Sequence, residues 1–275
     1  MQKGLAAGFM ASVPGIDEAT VEAVRRKLAA IEQAHGVRIL FAVESGSRAW
    51  GFPSPDSDYD VRFVYLHPRD WYLSLVERRD VIEIPLDQDD HDISGWDFRK
   101  TMQLLLRSNP PLHEWLVSPI VYREDGVTRA ALRALAERSY AGRSMGWHYL
   151  RMADRTYKAH LRDREEAHLK KYFYVIRPLC ALIWLVERGT LPPMNLAALL
   201  DGIVLPAQVR RAIDRLLEQK TRSSELGKGK RLRVIDHWIE RQLPRGERRC
   251  NDLPAKTAIM GEAEDFYRRV VEAQR

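Results

Sequence analysis

The sequence predicts an α+β protein, with a small mixed sheet and a few helices in its N-terminal half and a helical C-terminal half. Two observations carry this. Short apolar runs bounded by Gly, Pro, Ser and Asp clusters lie ahead of residue 125 and read as strands. Beyond Val127 almost every stretch has helical apolar spacing. The shift divides the chain into 1–125 and 126–275, and 275 residues are enough for each half to bury a core.

Taken in order, Asp17 is placed to cap an amphipathic helix with Val21, Val24, Leu28 and Ile31 on one face, ended by Gly36. Val37 to Val43 is an apolar run that reads as a buried strand. The loop GSRAWGFPSPDSD follows, then a strand over 59–66 in which Val61, Phe63 and Tyr65 alternate with Arg62 and Val64. Pro68 opens a short helix around Trp71, and 81–84 and 91–93 read as two more short strands. Trp96 to Arg107 has helical spacing, capped by Gly95 or Asp97, and stops at Asn109-Pro110. The helices expected beyond are 128–139, 143–162, 165–188, 207–220, 225–242 and 258–273. The basic run Gly227 to Arg231 reads as a solvated helix start.

Composition excludes several classes. Hydrophobic residues at 45% and charged residues at 30% describe a globular chain. No apolar run is long enough to cross a bilayer, and the N-terminal MQKGLAAGFMASVPGIDE is too weakly apolar for a signal peptide. Two cysteines, Cys180 and Cys250, exclude a disulfide framework and a multi-cysteine zinc site, and a reducing cytoplasm is the expected location. Cys180 lies in an apolar stretch and reads as core. His148 and His160 have no metal-ligand spacing to another His. Walker-A, GxGxxG, HExxH and GxSxG patterns are absent, which leaves kinase-like and dehydrogenase-like readings without support. Formal charge is +6, with Asp crowded between 56 and 97 and Arg and Lys abundant beyond 140. That asymmetry suits a cation site beside a phosphate-binding surface; two solvated surfaces are the plain alternative.

The chemistry concentrates at the first two strands. Gly46-Ser47 follows the first, and Asp58-Tyr59-Asp60-Val61 opens the second. Alternation puts Asp58 and Asp60 on one face, ~7 Å apart, where two carboxylates repel unless a cation lies between them. Hard Mg²⁺ takes oxygen ligands from one or two carboxylates and substrate phosphates. Asp92, in the strand His91 to Ile93, is the candidate third carboxylate. Gly46 lets the backbone approach a phosphate, and Ser47, opening a short helix, offers a hydroxyl and N–H groups. Arg48 is close enough to reach the same phosphate. Arg62 is read as facing away from Asp60 and is left outside the site. Asp97 is read as a cap, and Lys100 is left open between pocket and surface.

This ensemble resembles the DNA polymerase β-like nucleotidyltransferase superfamily, with its Gly-[Gly/Ser], spacer, Asp-h-[Asp/Glu]-h and later Asp. Within it, residues 46–65 together with HDISGWDFRK (91–100), SNPPLHEWLVSPIVY (108–122) and KKYFYVIRPL (170–179) resemble RlaP-type nucleotidyltransferases. That family is linked by genome context to RNA ligases and RNA repair. The resemblance spans about 37–190; the last 80 or so residues add nothing diagnostic.

The resemblance implies an N-terminal polymerase β-like domain and a helical domain closing the nucleotide cleft. Gly46 and Ser47 would grip the triphosphate. Asp58, Asp60 and Asp92 would be the catalytic carboxylates and the ligands of two Mg²⁺ ions, with Mn²⁺ able to take their place. Lys171, Tyr174 and Arg177 recur at three-residue spacing on one predicted helix face. In such enzymes that face would meet the nucleotide's phosphates and base. His91, where many members have an apolar residue, is read as structural. The reaction implied is transfer of a nucleoside monophosphate from an NTP to a hydroxyl, with an RNA 3′-OH as the expected acceptor and no membrane partner. A protein or small-molecule hydroxyl, or a non-catalytic RNA-binding accessory role, stays open, as do the preferred NTP, templating and the oligomeric state.

Overall fold

The computed structural model describes residues 15–86, 88–222, 226–255 and 258–273. The N-terminal segment weighed as a signal peptide lies mostly outside these. Asp17 accepts the Thr20 backbone N–H at 2.9 Å and caps α1 (Glu18–His35); Gly36, at φ 60°, closes it. The four apolar residues of its inner face are buried, as their spacing predicts.

The strands that follow are β1 (Arg38–Glu44), β2 (Tyr59–Leu66), β3 (Val81–Ile84), β4 (His91–Asp97) and β5 (Val121–Glu124). They form one sheet in the order β3-β4-β2-β1-β5. β2 and β4 are parallel and the other pairs antiparallel, so the sheet is mixed, as expected. Between the strands lie α2 (Gly46–Ala49), α3 (Arg69–Tyr72), α4 (Phe98–Leu106) and α5 (Pro110–Val117). β4 runs on to Asp97, so the helix read from Trp96 begins two residues later, with Asp97 accepting from Arg99 N–H at 2.8 Å. α5 and β5 have no counterpart in the sequence reading. β5 is a four-residue edge strand whose order comes from pairing with β1, a partner about eighty residues away in sequence.

Beyond β5 come α6 (Thr128–Ser139), α7 (Gly142–His160), β6 (Glu166–His168), α8 (Lys170–Arg188), α9 (Leu196–Gly202), α10 (Ala207–Arg222), β7 (Lys228–Lys230), α11 (Arg233–Asp252) and α12 (Met260–Glu272). Within the two stretches read as helix starts, 166–168 and 228–230 pair instead as a two-stranded antiparallel ribbon. Glu225, the first residue of the helix expected over 225–242, lies outside the described residues. α11 begins at Arg233 and continues through Pro244 to Asp252.

Three apolar clusters organise the molecule. α1 covers one face of the sheet against Ile39, Val61, Phe63, Tyr65 and Ile93. The other face, with Leu40, Phe41, Val64 and Leu66, is covered by α4 and α5, and also by Leu132 and Leu135 of α6 and Ala263 and Val271 of α12. The third cluster is the helical half, centred on α7, α8, α10 and α11. The boundary near 125 therefore does not separate the packing units, because α6 and α12 pack on the sheet. Among the described residues no helix is long and apolar enough to cross a membrane. Cys180 and Cys250 are both buried and free.

Candidate active site

β1 ends in a turn held by Ser45 N–H donating to the Asp60 carbonyl at 2.8 Å. The backbone then turns through Gly46 at φ 59° into α2. A Cβ at Gly46 would stand 1.9 Å from Asp60 Oδ2, so only glycine lets this carboxylate oxygen lie against the turn. The loop after α2 is pinned in the helical half. Phe52 is buried there, its ring stacked on Phe173 at 4.7 Å, and the Trp50 carbonyl accepts from Leu196 N–H at 2.9 Å. The loop between the first two strands thus spans both halves.

Parallel pairing sets Asp60 directly opposite Asp92, on the face of the sheet that also carries Val64 and Trp96. Arg62 occupies that face too. Residues two apart on a strand point the same way, so its expected outward orientation is corrected. Its guanidinium donates to Asp60 Oδ1 at 2.8 Å and Asp92 Oδ2 at 2.6 Å, and to the Asp92 carbonyl at 2.7 Å. Burial raises Asp60 to about 6; Arg62 opposes the shift, Asp58 and Asp92 add to it, and Lys170 opposes it.

Behind Asp60, Glu44 accepts the Asp60 backbone N–H at 3.0 Å and the Tyr122 hydroxyl at 2.6 Å. Burial pushes Glu44 up to about 8, with both hydrogen bonds opposing the shift. His91 alternates to the opposite face from Asp92, buried, in contact with the Lys27 ammonium and edge-on to Tyr59 at 5.4 Å, which fits the structural reading.

Ser47 Oγ donates to Ser57 Oγ at 3.0 Å, and Ser57 Oγ in turn accepts the Ser54 N–H at 2.9 Å. Lys220 of α10, only 2% exposed, donates to Ser54 Oγ at 3.1 Å. Burial lowers its pKa and Lys170 adds to the fall, while Asp56 and Asp58 oppose it. Arg48 is tied to the loop itself, donating to the Ser57 carbonyl at 2.6 Å and the Asp58 carbonyl at 3.2 Å, and lies 3.9 Å over the Tyr59 ring.

On α8 the three-residue face is divided. The Lys171 ammonium sits 5.2 Å from the Tyr174 ring, and Tyr174 meets Trp50 edge-on at 5.7 Å. Burial raises Tyr174, and the charges of Asp60 and Asp58 add to that. The α8 charge that acts on Asp60 is that of Lys170. Arg177 is 5% exposed, donates to Glu114 Oε1 at 2.7 Å and the Met194 carbonyl, and lies over Trp50. It is a buried strut behind Trp50 rather than a member of an open face. Lys100 pairs with Asp80 at 2.9 Å.

Among the described residues no three His, Cys, Asp or Glu side chains are gathered closely enough to hold a metal ion. The predicted set Asp58, Asp60 and Asp92 is not assembled as ligands, and Arg62 already donates to two of its members. The donor chemistry still fits a hard divalent cation. The donors are carboxylate oxygens, and half-buried Asp60, next to two like charges, is an anion that a cation would stabilise.

Sequence reasoning missed Arg62, Lys170, Lys220 and Glu44. Strand alternation was the available signal for Arg62, and adjacency to Lys171 for Lys170. Lys220 had none, since it lies 166 residues from the serine it meets.

Comparison with known proteins adds the following. A family model described as RNA repair pathway DNA polymerase beta family, RlaP, matches residues 21–269, well beyond the 37–190 of the motif resemblance. A Bacillus subtilis (strain 168) protein named "Uncharacterized protein YcgL" is 46% identical over 234 residues, 85% of this chain and 89% of that one. A solved nucleotidyltransferase-like protein from Exiguobacterium sibiricum 255-15 is 15% identical, covering 85% of this chain and 75% of its own, at a TM-score of 0.32.

Proposed function

The chain belongs to the RlaP family, the RNA repair pathway DNA polymerase beta family, and from that premise we propose that it transfers a nucleoside monophosphate from an NTP to the 3′-OH of an RNA, releasing pyrophosphate. The observation that supports this most is the in-register pair Asp60 and Asp92 beside the Gly46 turn, where a side chain cannot fit.

In this reading Gly46 leaves room for the triphosphate beside Asp60, and the Ser47 hydroxyl meets it. Lys170 and Lys220 supply positive charge to its outer phosphates. Lys220 suits that task because its ammonium is buried against a serine hydroxyl and, among the described residues, has no carboxylate at hydrogen-bond distance. Trp50 and Tyr174 offer ring faces to the base. Arg177 and Glu114 hold Trp50 in place. Asp58, Asp60 and Asp92 would hold Mg²⁺ or Mn²⁺. The cation supplies the positive charge that lowers the pKa of the acceptor hydroxyl and offsets the charge on departing pyrophosphate. Lys171 and Arg48 stay at the margin of the pocket, and cytoplasmic RNA is the acceptor pool.

The test is labelled NTPs, offered singly with Mg²⁺ to native protein and to Asp60→Asn, with RNA or total protein as acceptor. Native protein is expected to label RNA 3′ ends; Asp60→Asn is expected to lose labelling while retaining its circular dichroism. Equal labelling by a folded Asp60→Asn overturns the carboxylate assignment. Label appearing in protein alone moves the acceptor to a protein hydroxyl.

A further inference from the structure

The outer face of α7 carries four side chains at four-residue spacing: Arg143, Trp147, Arg151 and Arg155. The three arginines are exposed, and the Arg151 guanidinium lies 5.4 Å from the Trp147 ring centre. Among the described residues none of the three has an ion-pair partner. The one acid on the helix, Asp154, is taken by Lys158 at 2.7 Å. Arg107, exposed at the end of α4, adjoins them, since Ser144 Oγ donates to its carbonyl at 3.4 Å.

Two shallow grooves of about 410 and 380 Å³ run along this face, sharing Ser144 and Arg151, and among the described residues no acidic side chain lines either. The larger cavity of about 930 Å³ between α10 and α11 differs. Five Arg and Lys side chains line it together with Glu165, Glu166, Asp236 and Glu240, and its Arg231 is already paired with Asp236 at 3.0 Å. An anionic polymer would meet carboxylates there that the α7 grooves do not present.

We infer that the α7 face binds the backbone of a single-stranded nucleic acid. Resting on the transferase reading, it is the surface that holds the acceptor strand outside the nucleotide pocket. Arg151 and Arg155 are ~6 Å apart along the helix axis and Arg143 lies ~12 Å before Arg151, with Trp147 midway, which sets the guanidinium groups and the ring in a row that can follow the backbone of an extended strand. Arginine forks suit phosphate oxygens, and Trp147 offers a ring on which a base stacks without regard to sequence. The helix that carries the face packs against α5, whose Glu114 bonds Trp50 Nε1 and Arg177. An anionic membrane or an acidic protein would want the charges but not the row with its single stacking ring.

The experiment uses the full chain and a labelled, unstructured RNA oligonucleotide, with a DNA of the same sequence alongside. Affinity is measured by anisotropy across a salt series for native protein, for the triple variant Arg143→Ala/Arg151→Ala/Arg155→Ala, and for the same triple change to Lys. The Ala variant is expected to bind about tenfold or more weakly, with its salt slope reduced by about 2, as three lost single-strand phosphate contacts require. The Lys variant should keep most of the slope, and native Trp fluorescence should be quenched by RNA in a manner lost on Trp147→Ala. Unchanged affinity and slope in a folded Ala variant overturn the proposal, as does loss of binding to anionic vesicles with RNA binding intact. NTP binding, read by calorimetry on the same variants, should not change. If NTP never binds while RNA binding falls as expected, the surface stands and the transferase reading falls. If NTP transfer proceeds while RNA binding ignores the α7 changes, the reverse holds.

Discussion

Arg62 answers at the scale of one residue why two facing carboxylates are tolerated on neighbouring strands. Its guanidinium bridges Asp60 and Asp92, and all three side chains are sheltered or half-buried. Removing it leaves two like charges opposed at the sheet's end, so Arg62→Ala should cost about 1–3 kcal/mol, between the value of an exposed pair and that of a buried one. Added Mg²⁺ should then raise the melting temperature of the variant more than that of native protein, because a cation that binds only the folded form stabilises it by linkage. Thermal melts with and without Mg²⁺ check this; a variant that ignores the cation would show that these carboxylates do not hold one. The carboxylates themselves were legible in sequence, because Asp-x-Asp entering an apolar strand is a local pattern. Arg62 was legible in principle by the same alternation that joined Asp58 to Asp60.

At the scale of the element, α5 illustrates what local pattern leaves out. Asn109-Pro110 reads as the stop of the preceding helix, yet Asn109 caps a new one by accepting Leu112 N–H at 3.1 Å, and His113 on it is buried. Desolvation pushes His113 down from 6.5 to about 4, with only Glu137 opposing. Between those values the unfolded chain binds a proton that the native protein does not. Stability from this residue is therefore complete above pH 6.5 and is lost as pH falls toward 4, to a limit of about 3 kcal/mol. Urea denaturation at neutral and acid pH should show His113→Leu losing less stability on acidification than native protein. An identical pH response in both would place the acid sensitivity elsewhere. The ribbon of β6 and β7 makes a related point: three-residue strands have too few positions to show a period, and their order comes from each other.

At the scale of the whole molecule, the sheet's second face is finished by helices from the far end of the chain. Leu132 and Leu135 of α6, Ile259 before α12 and Val271 within it are all buried against the sheet cluster. Four such side chains account for about 6–12 kcal/mol of burial, which is comparable with the whole stability of a typical domain. Residues 1–125 expressed alone should therefore fail to fold, and 1–139 should remain without the cover of α12. Circular dichroism and cooperative melting of the two fragments against the full chain check this. A cooperatively folded 1–125 fragment would restore the boundary drawn from composition.

By itself the sequence determined the α+β class, the capped first helix, the β1–turn–β2 motif and the family to which the chain belongs. Each of these is carried by residues near one another in the chain, where spacing, alternation and turn chemistry act directly. Only the tertiary structure decided that Arg62 bridges the carboxylates, that Lys220 reaches the serine loop and that Arg177 is a buried strut. It also decided that α12 closes the sheet. Those outcomes depend on pairing and burial between segments up to 166 residues apart, and a charge buried at such distance has no local periodicity by which it could be read.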